Sequence, residues 1–184
     1  MELFLSLCLG IGLSASCGFR VFLPMLAANI AAMSGWISPG ENFEWLSTWP
    51  AFLVLLSATI AEVAGYYIPF VDNLLDTVAT PAAVIAGTLL TTSLIEIDSP
   101  VLHWGLGLMV GGGTAGLVQA GTGLLRLFSS KTTAGLGNPV VSTGENIASF
   151  GLSGLAIFLP VIAFVLVVLL LLWLLKKLFS LRKS

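Results

Sequence analysis

Charge is what this chain has least of. Only 9% of its 184 residues are Asp, Glu, Lys or Arg, against 57% hydrophobic, and the mean hydropathy is +1.05. One soluble core could not hide that much apolar surface, so a water-soluble domain is excluded and the chain reads as a polytopic membrane protein. Histidine occurs once, at His103, which removes both an HExxH zinc site and a Ser-His-Asp set. Asp72 and Asp76 could form an acid-base pair, but nothing places a scissile bond near them, so the chain is expected to be no enzyme and to need no cofactor. Cysteine occurs twice, and the nine residues from Cys8 to Cys17 set them about 180° apart around a helix, where they cannot pair. Of the seven basic residues, four (Lys176, Lys177, Arg182, Lys183) fall in the last nine positions. Beside an aliphatic run they read as a cytoplasmic anchor and give no basis for nucleic-acid binding.

What is present is a series of apolar runs. Residues 3–33 could cross about 30 Å of hydrocarbon with helix to spare. Only Glu2 precedes the apolar residues 3–13, where a cleaved leader would carry basic residues, and Ser14 stands where a lipoprotein signal ending at Cys17 would carry an aliphatic one. The segment is therefore expected to be a retained first span. Gly18 and Pro24 bracket Arg20, which is costly at membrane depth, so this span should be kinked with Arg20 turned inward. Residues 34–49 hold Pro39, Glu41, Glu44 and three tryptophans without a Lys or Arg, an interfacial loop. Thr48 and Pro50 start a second span over 50–68 that carries Glu62 near its far end and stops at Pro69.

Asp72 and Asp76 then share one face of a short helix over 72–80, and Thr80-Pro81 caps a third span. Glu96 and Asp98 form an acidic loop. The fourth span, 101–127, pairs Gly107 with Gly111 and Gly112 with Gly116 at small-xxx-small spacing, which predicts close packing on another helix of this chain or of a second copy in a homo-oligomer. Arg126 lies at its end and Lys131 in the loop beyond. A helix over 143–159 and an aliphatic run over 160–175 follow, separated at Pro160, because one straight helix through both would be about 50 Å long.

The expected fold is thus an all-α transmembrane bundle of about six spans in a single domain. Both termini and the Lys131 loop would be cytoplasmic, and the acidic loops outside. The halves 1–95 and 101–178 echo one another as an inverted three-plus-three repeat: Gly18 with Arg20 against Gly123 with Arg126, Glu62 against Glu145, Pro81 against Pro160. Repeats of this kind build transporters, and this one would bring Glu62 and Glu145 together across the pseudo-two-fold axis.

Three stretches carry a family resemblance: CGFRVFLP early; Glu62 followed by Pro69 and Asp72; and GLGNPVVSTGEN late. They resemble the bacterial integral-membrane family catalogued as domain of unknown function 4126. The resemblance spans nearly the whole chain and implies a small inner-membrane protein of several spans, with no established activity to borrow. Three positions depart from the family pattern: Tyr66-Tyr67 replaces an Asp-Lys pair, and Asn146 replaces an acidic residue.

The residues that could carry chemistry are the ionisable groups in or beside the spans: Arg20, Glu62, Asp72, Asp76, Arg126 and Glu145. Each has a structural reading beside the functional one. Ser142-x-x-Glu145 fits a capping box. Asp72 could be a helix cap and Asp76 part of a solvated face, and Arg20 could pair with Glu62 between the first two spans. Residues 135–138, ending in Asn138, could form a backbone nest for an anion or simply a turn. Two functional classes follow: a transporter or channel for a small ion or solute working through buried carboxylates, and a non-transporting membrane scaffold assembled through the glycine face.

Overall fold

Breaking a helix in lipid strands backbone groups that no water can satisfy, so an apolar chain breaks only where its own side chains can cover the ends. The computed structural model describes residues 2–133 and 137–181, and the chain in it is all-α. The helices are α1 (Glu2–Cys17), α2 (Phe22–Met33), α3 (Trp49–Gly65), α4 (Pro69–Leu94), α5 (Pro100–Leu106), α6 (Gly113–Thr133), α7 (Asn138–Phe158) and α8 (Pro160–Leu181). A π-helical turn, Gly107–Gly112, joins α5 and α6 into one helix of 34 residues. A 3-10 helix, Glu41–Ser47, occupies the segment expected to be a loop and meets α3 at a 64° bend. Among the described residues, two helices are long and apolar enough to cross a membrane (Leu74–Leu94 and Pro100–Thr133), or three if that bent pair is one span.

Punctuation follows the sequence at several places. Thr48 Oγ1 accepts from the Ala51 amide at 3.4 Å, and a proline lies in the first turn of α3, α4, α5 and α7. Leu159 leaves helical geometry at φ −138°, so Pro160 does separate α7 from α8. Thr80-Pro81 does not cap a new helix. The helix α4 runs through it for 26 residues, because one missing proline N–H costs less in lipid than two open helix ends. Lys131 likewise sits in the last turn of α6 and not in a loop.

The largest correction concerns residues 3–33, which are not one kinked crossing. Phe4 meets Phe164 of α8 with ring centroids 6.5 Å apart, and Trp36, just past α2, meets Phe158 at the end of α7 at 4.8 Å. The start of α1 and the end of α2 therefore lie at the same end of the bundle, and residues 18–21 turn the chain back. That turn presses on α6 so closely that a Cβ on Gly18 would stand 2.5 Å from Val118 Cβ and 2.6 Å from the Ala115 carbonyl oxygen. From beside Phe4, α8 runs in the same direction as α1, with Val167 packed on Ala15 and Val118 and Leu174 against Gly121. Glu2 and the end of α8 are thus at opposite ends, not together as the six-span reading required. The halves are also unequal, with four helices before residue 95 and three continuous rods after residue 100. Arg182 and Lys183 of the basic tail, like Gly135 of the nest, lie outside the described residues.

Small and hydroxylated residues share the interior with Leu13, Leu46, Leu90 and Val118, and their close contacts tie the helices together where lipid removes the hydrophobic drive between them. Ser14 Oγ donates to the Gly87 carbonyl at 2.7 Å and lies 2.8 Å from Thr91 Oγ1, tying α1 to α4. Ser149 Oγ donates to the Ser16 carbonyl at 3.1 Å, tying α7 to α1. Leu53, Val54, Ile60, Val101, Met109 and Phe150 are all exposed on the outer faces.

Candidate functional site: a buried cluster of six charges

The turn at residues 18–21 ends in a polar cluster built where α3 finishes and α4 and α7 begin. Its first contact explains why the chain can break there. Glu62, in the last turns of α3, accepts from the Val21 amide at 2.7 Å and the Phe22 amide at 3.0 Å. Those are the opening amides of α2, whose own cap residue supplies no side-chain bond. A carboxylate from another helix thus satisfies donors that lipid would leave orphaned, and it meets the positive end of the helix dipole. The expected Arg20–Glu62 ion pair is not made, because these amides take both carboxylate oxygens.

Arg20 is 1% exposed and turns to α7 instead. Its Nη1 lies 2.9 Å from Glu145 Oε2, Nε donates to Asn146 Oδ1 at 2.6 Å, and Nη2 donates to the Ser142 carbonyl at 3.2 Å. Arg126, on α6, holds the same glutamate from the other side. Its Nε donates to Glu145 Oε1 at 3.0 Å, and Nη2 reaches Glu145 Oε2 and, at 3.0 Å, Ser142 Oγ. Nη1 bonds Asp72 Oδ1 and lies 3.5 Å from Asp76 Oδ1. Asp72 Oδ2 accepts from Asn138 Nδ2 at 3.0 Å, which fastens the start of α7 to the start of α4. Tyr66 packs against both guanidinium groups, with Arg20 Cζ 3.9 Å and Arg126 Cζ 4.2 Å from its ring centroid, a geometry that stabilises buried cations.

Four carboxylates (Glu62, Asp72, Asp76, Glu145) against two arginines leave this region a formal charge of −2. Three helix N-termini converge on it, those of α2, α4 and α7, each equivalent to about +0.5 charge. They offset part of the excess, against the opposing negative ends of α1 and α3 at the same place. Asp76 is the loosest member: its side chain is 31% exposed, and its Oδ1 makes no hydrogen bond. It lines, with Arg126, Gln119 and Thr80, a crevice of about 480 Å³ between α4 and α6.

The structure gathers Arg20, Glu62, Asp72, Asp76, Asn138 and Glu145 into one neighbourhood. It replaces the capping roles of two of them. The helix α7 starts at Asn138, so Ser142 and Glu145 are interior residues turned to the arginines and form no capping box. The cap of α4 is Ile68, leaving Asp72 free for Arg126. Asn138 Nδ2 serves Asp72 and Ser130, and the Gly137 amide donates to Thr133 Oγ1 at 2.9 Å, while residues 135 and 136 of the expected nest lie outside the described residues. Gly107, Gly111 and Gly112 face α4 at Thr92, Thr91 and Thr88, and Gly116 faces Val84, all within the chain. Sequence reasoning missed Tyr66, Asn146 and Tyr67, whose hydroxyl lies 2.9 Å from Thr143 Oγ1 and accepts from Asn146 Nδ2 at 3.4 Å. These are the three positions where the chain departs from the resemblance, and that coincidence was the available signal.

No curated protein and no solved structure matches the chain. The family described as "Domain of unknown function (DUF4126)" matches residues 7–179, a stretch that contains every residue of the cluster. The chain belongs to the DUF4126 family.

Proposed function

We propose that this protein is a small membrane transporter or channel that moves a proton or small cation through the buried carboxylate cluster. The observation that carries the reading is the juxtaposition of a helix break at residues 18–21 with a cluster of net charge −2, opened on one side by the crevice at Asp76. Broken helices whose ends face buried charge recur at the transport sites of membrane carriers. Asp76 is the group at the mouth. Asp72 and Glu145 stand behind it on Arg126, with Arg20 and Glu62 beyond. A second reading, a static scaffold, is favoured by the mutual pairing of Asp72, Glu145 and the two arginines. Its proposed assembly surface is weakened, since the glycine face is already used against α4.

In this reading the chain passes several times through a cytoplasmic membrane, with Lys131 and the basic tail inside, the start of α1 outside, and α1 and α2 forming a pair that enters and returns. Single cysteines at Glu41, Asp98 and Leu3 should react with an impermeant maleimide added outside, and one at Lys131 only after the inner face is opened. Cys8 and Cys17 are buried, so background labelling should be low. Labelling at Lys131 from outside would reverse the orientation.

The function itself is tested by reconstituting the protein in liposomes and imposing gradients of protons, sodium or potassium in turn. Flux of one of them well above that of empty liposomes is expected. Flux equal to that of empty liposomes for all three would overturn the reading.

A further inference from the structure

The crevice between α4 and α6 contains a second irregularity besides Asp76. Gln119 is only 7% exposed, lines the crevice, and makes no side-chain hydrogen bond among the described residues. Its amide is therefore free to take a partner in the crevice, beside Asp76, whose Oδ1 is buried and unpaired. Arg126 also lines the crevice, but its charge is taken up by the carboxylates around it. Four of its N–H groups bond Glu145, Ser142 and Asp72, and its Nη1 lies 3.5 Å from Asp76 Oδ1. Besides Arg126, the crevice presents one carboxylate, one free amide, the hydroxyls of Thr80 and of Ser130, which is bonded to Asn138, and the apolar walls of Ala120, Leu124 and Leu127.

That set does not suit a bare metal ion, which would need several converging oxygens. Among the described residues no group of three metal-binding side chains occurs, and about 480 Å³ is the room of a small organic molecule. We propose that the crevice is a binding site for an organic ammonium group, whose N–H donors meet Asp76 and the Gln119 carbonyl while its alkyl part lies along Leu124 and Leu127. Both leucines are exposed on the outer face of α6, so the alkyl part can extend toward lipid. Two sources share this chemistry, a soluble alkylamine and the amine headgroup of a lipid. The inference rests on the transport reading for its meaning as a substrate site, and on the geometry alone for binding.

Binding is measured on the detergent-solubilised protein, where no gradient exists, by equilibrium dialysis of radiolabelled hexylammonium. Saturable binding is expected, with hexan-1-ol at the same concentration failing to compete. Asp76→Asn should weaken it by about tenfold or more, the loss of one charge-assisted hydrogen bond. Gly123→Phe, at a crevice-lining position where an added Cβ meets nothing within 4 Å, should block it, with an unchanged melting temperature as the check on the fold. Repeating the dialysis in nanodiscs separates the sources. Competition by phosphatidylethanolamine but not phosphatidylcholine identifies a lipid headgroup, and equal binding in both lipids identifies a soluble amine. Wild-type affinity in both Asp76→Asn and Gly123→Phe, or equal competition by hexan-1-ol, would overturn the proposal. Binding without flux would leave the site standing and sink the transport reading, and flux without binding would do the reverse.

Discussion

Arg126→Leu is expected to be the most damaging single substitution in the bundle, costing about 3–5 kcal/mol, the usual result of removing one partner from a buried ion pair. Leucine matches the hydrophobic surroundings, but Asp72 and Glu145 would lose their shared donor, and Asp76 its nearest cation. Asp72, in the first turn of α4, would then be left without its cation, and Glu145, inside α7, would keep only Arg20. Arg126→Lys restores the charge without the planar fork that serves four acceptors at once, so its loss should be intermediate. Thermal unfolding in detergent ranks the three proteins. An Arg126→Leu protein as stable as wild type would mean that the cluster is not what ties α4, α6 and α7 together.

Gly111→Ala is expected to destabilise by about 1–3 kcal/mol, whereas Gly113→Ala, two residues on, should be neutral or stabilise by up to about 1 kcal/mol. The contrast is geometric. A methyl group on Gly111 would collide with the Gly87 carbonyl oxygen and the Thr91 hydroxyl of α4 and stand 2.7 Å from Thr91 Cβ. At Gly113 it would meet nothing within 4 Å and simply replace the least favourable helix former with the best. The π turn Gly107–Gly112 is what presents Gly107, Gly111 and Gly112 together to α4. Equal melting temperatures for the two variants would show that α4 and α6 are not held at backbone contact.

Composition and periodicity made the all-α membrane character legible, and the proline and threonine signals located the starts of α3 and α8. Small-xxx-small spacing identified the glycines but not their partner, because spacing is blind to which helix lies opposite. The return of the chain at residues 18–21 was not legible. An apolar run with one arginine reads the same whether it crosses or doubles back, and the deciding contact, Glu62 on the Val21 and Phe22 amides, spans about 40 residues of sequence. The ionisable members of the cluster were all found, since charge in an apolar chain is conspicuous. Their pairing was not. Ser142 and Glu145 have capping-box spacing by sequence, and only the earlier start of α7 at Asn138 turns both toward Arg126. Tyr66 stood out in the sequence only as a departure from the family pattern, because nothing in sequence spacing brings two guanidinium groups against its ring.

The most direct measurement of the central claim is ion flux through Asp76→Asn protein in liposomes, compared with wild type reconstituted at the same density. Asp76 lines the crevice, its Oδ1 makes no hydrogen bond, and 3.5 Å separates it from Arg126, so asparagine should fold as well as aspartate. If a proton or cation enters the cluster at this carboxylate, the variant should keep its melting temperature and lose flux by about tenfold or more, the cost of removing one charge from the path. Wild-type flux in a fully folded Asp76→Asn protein would contradict the account.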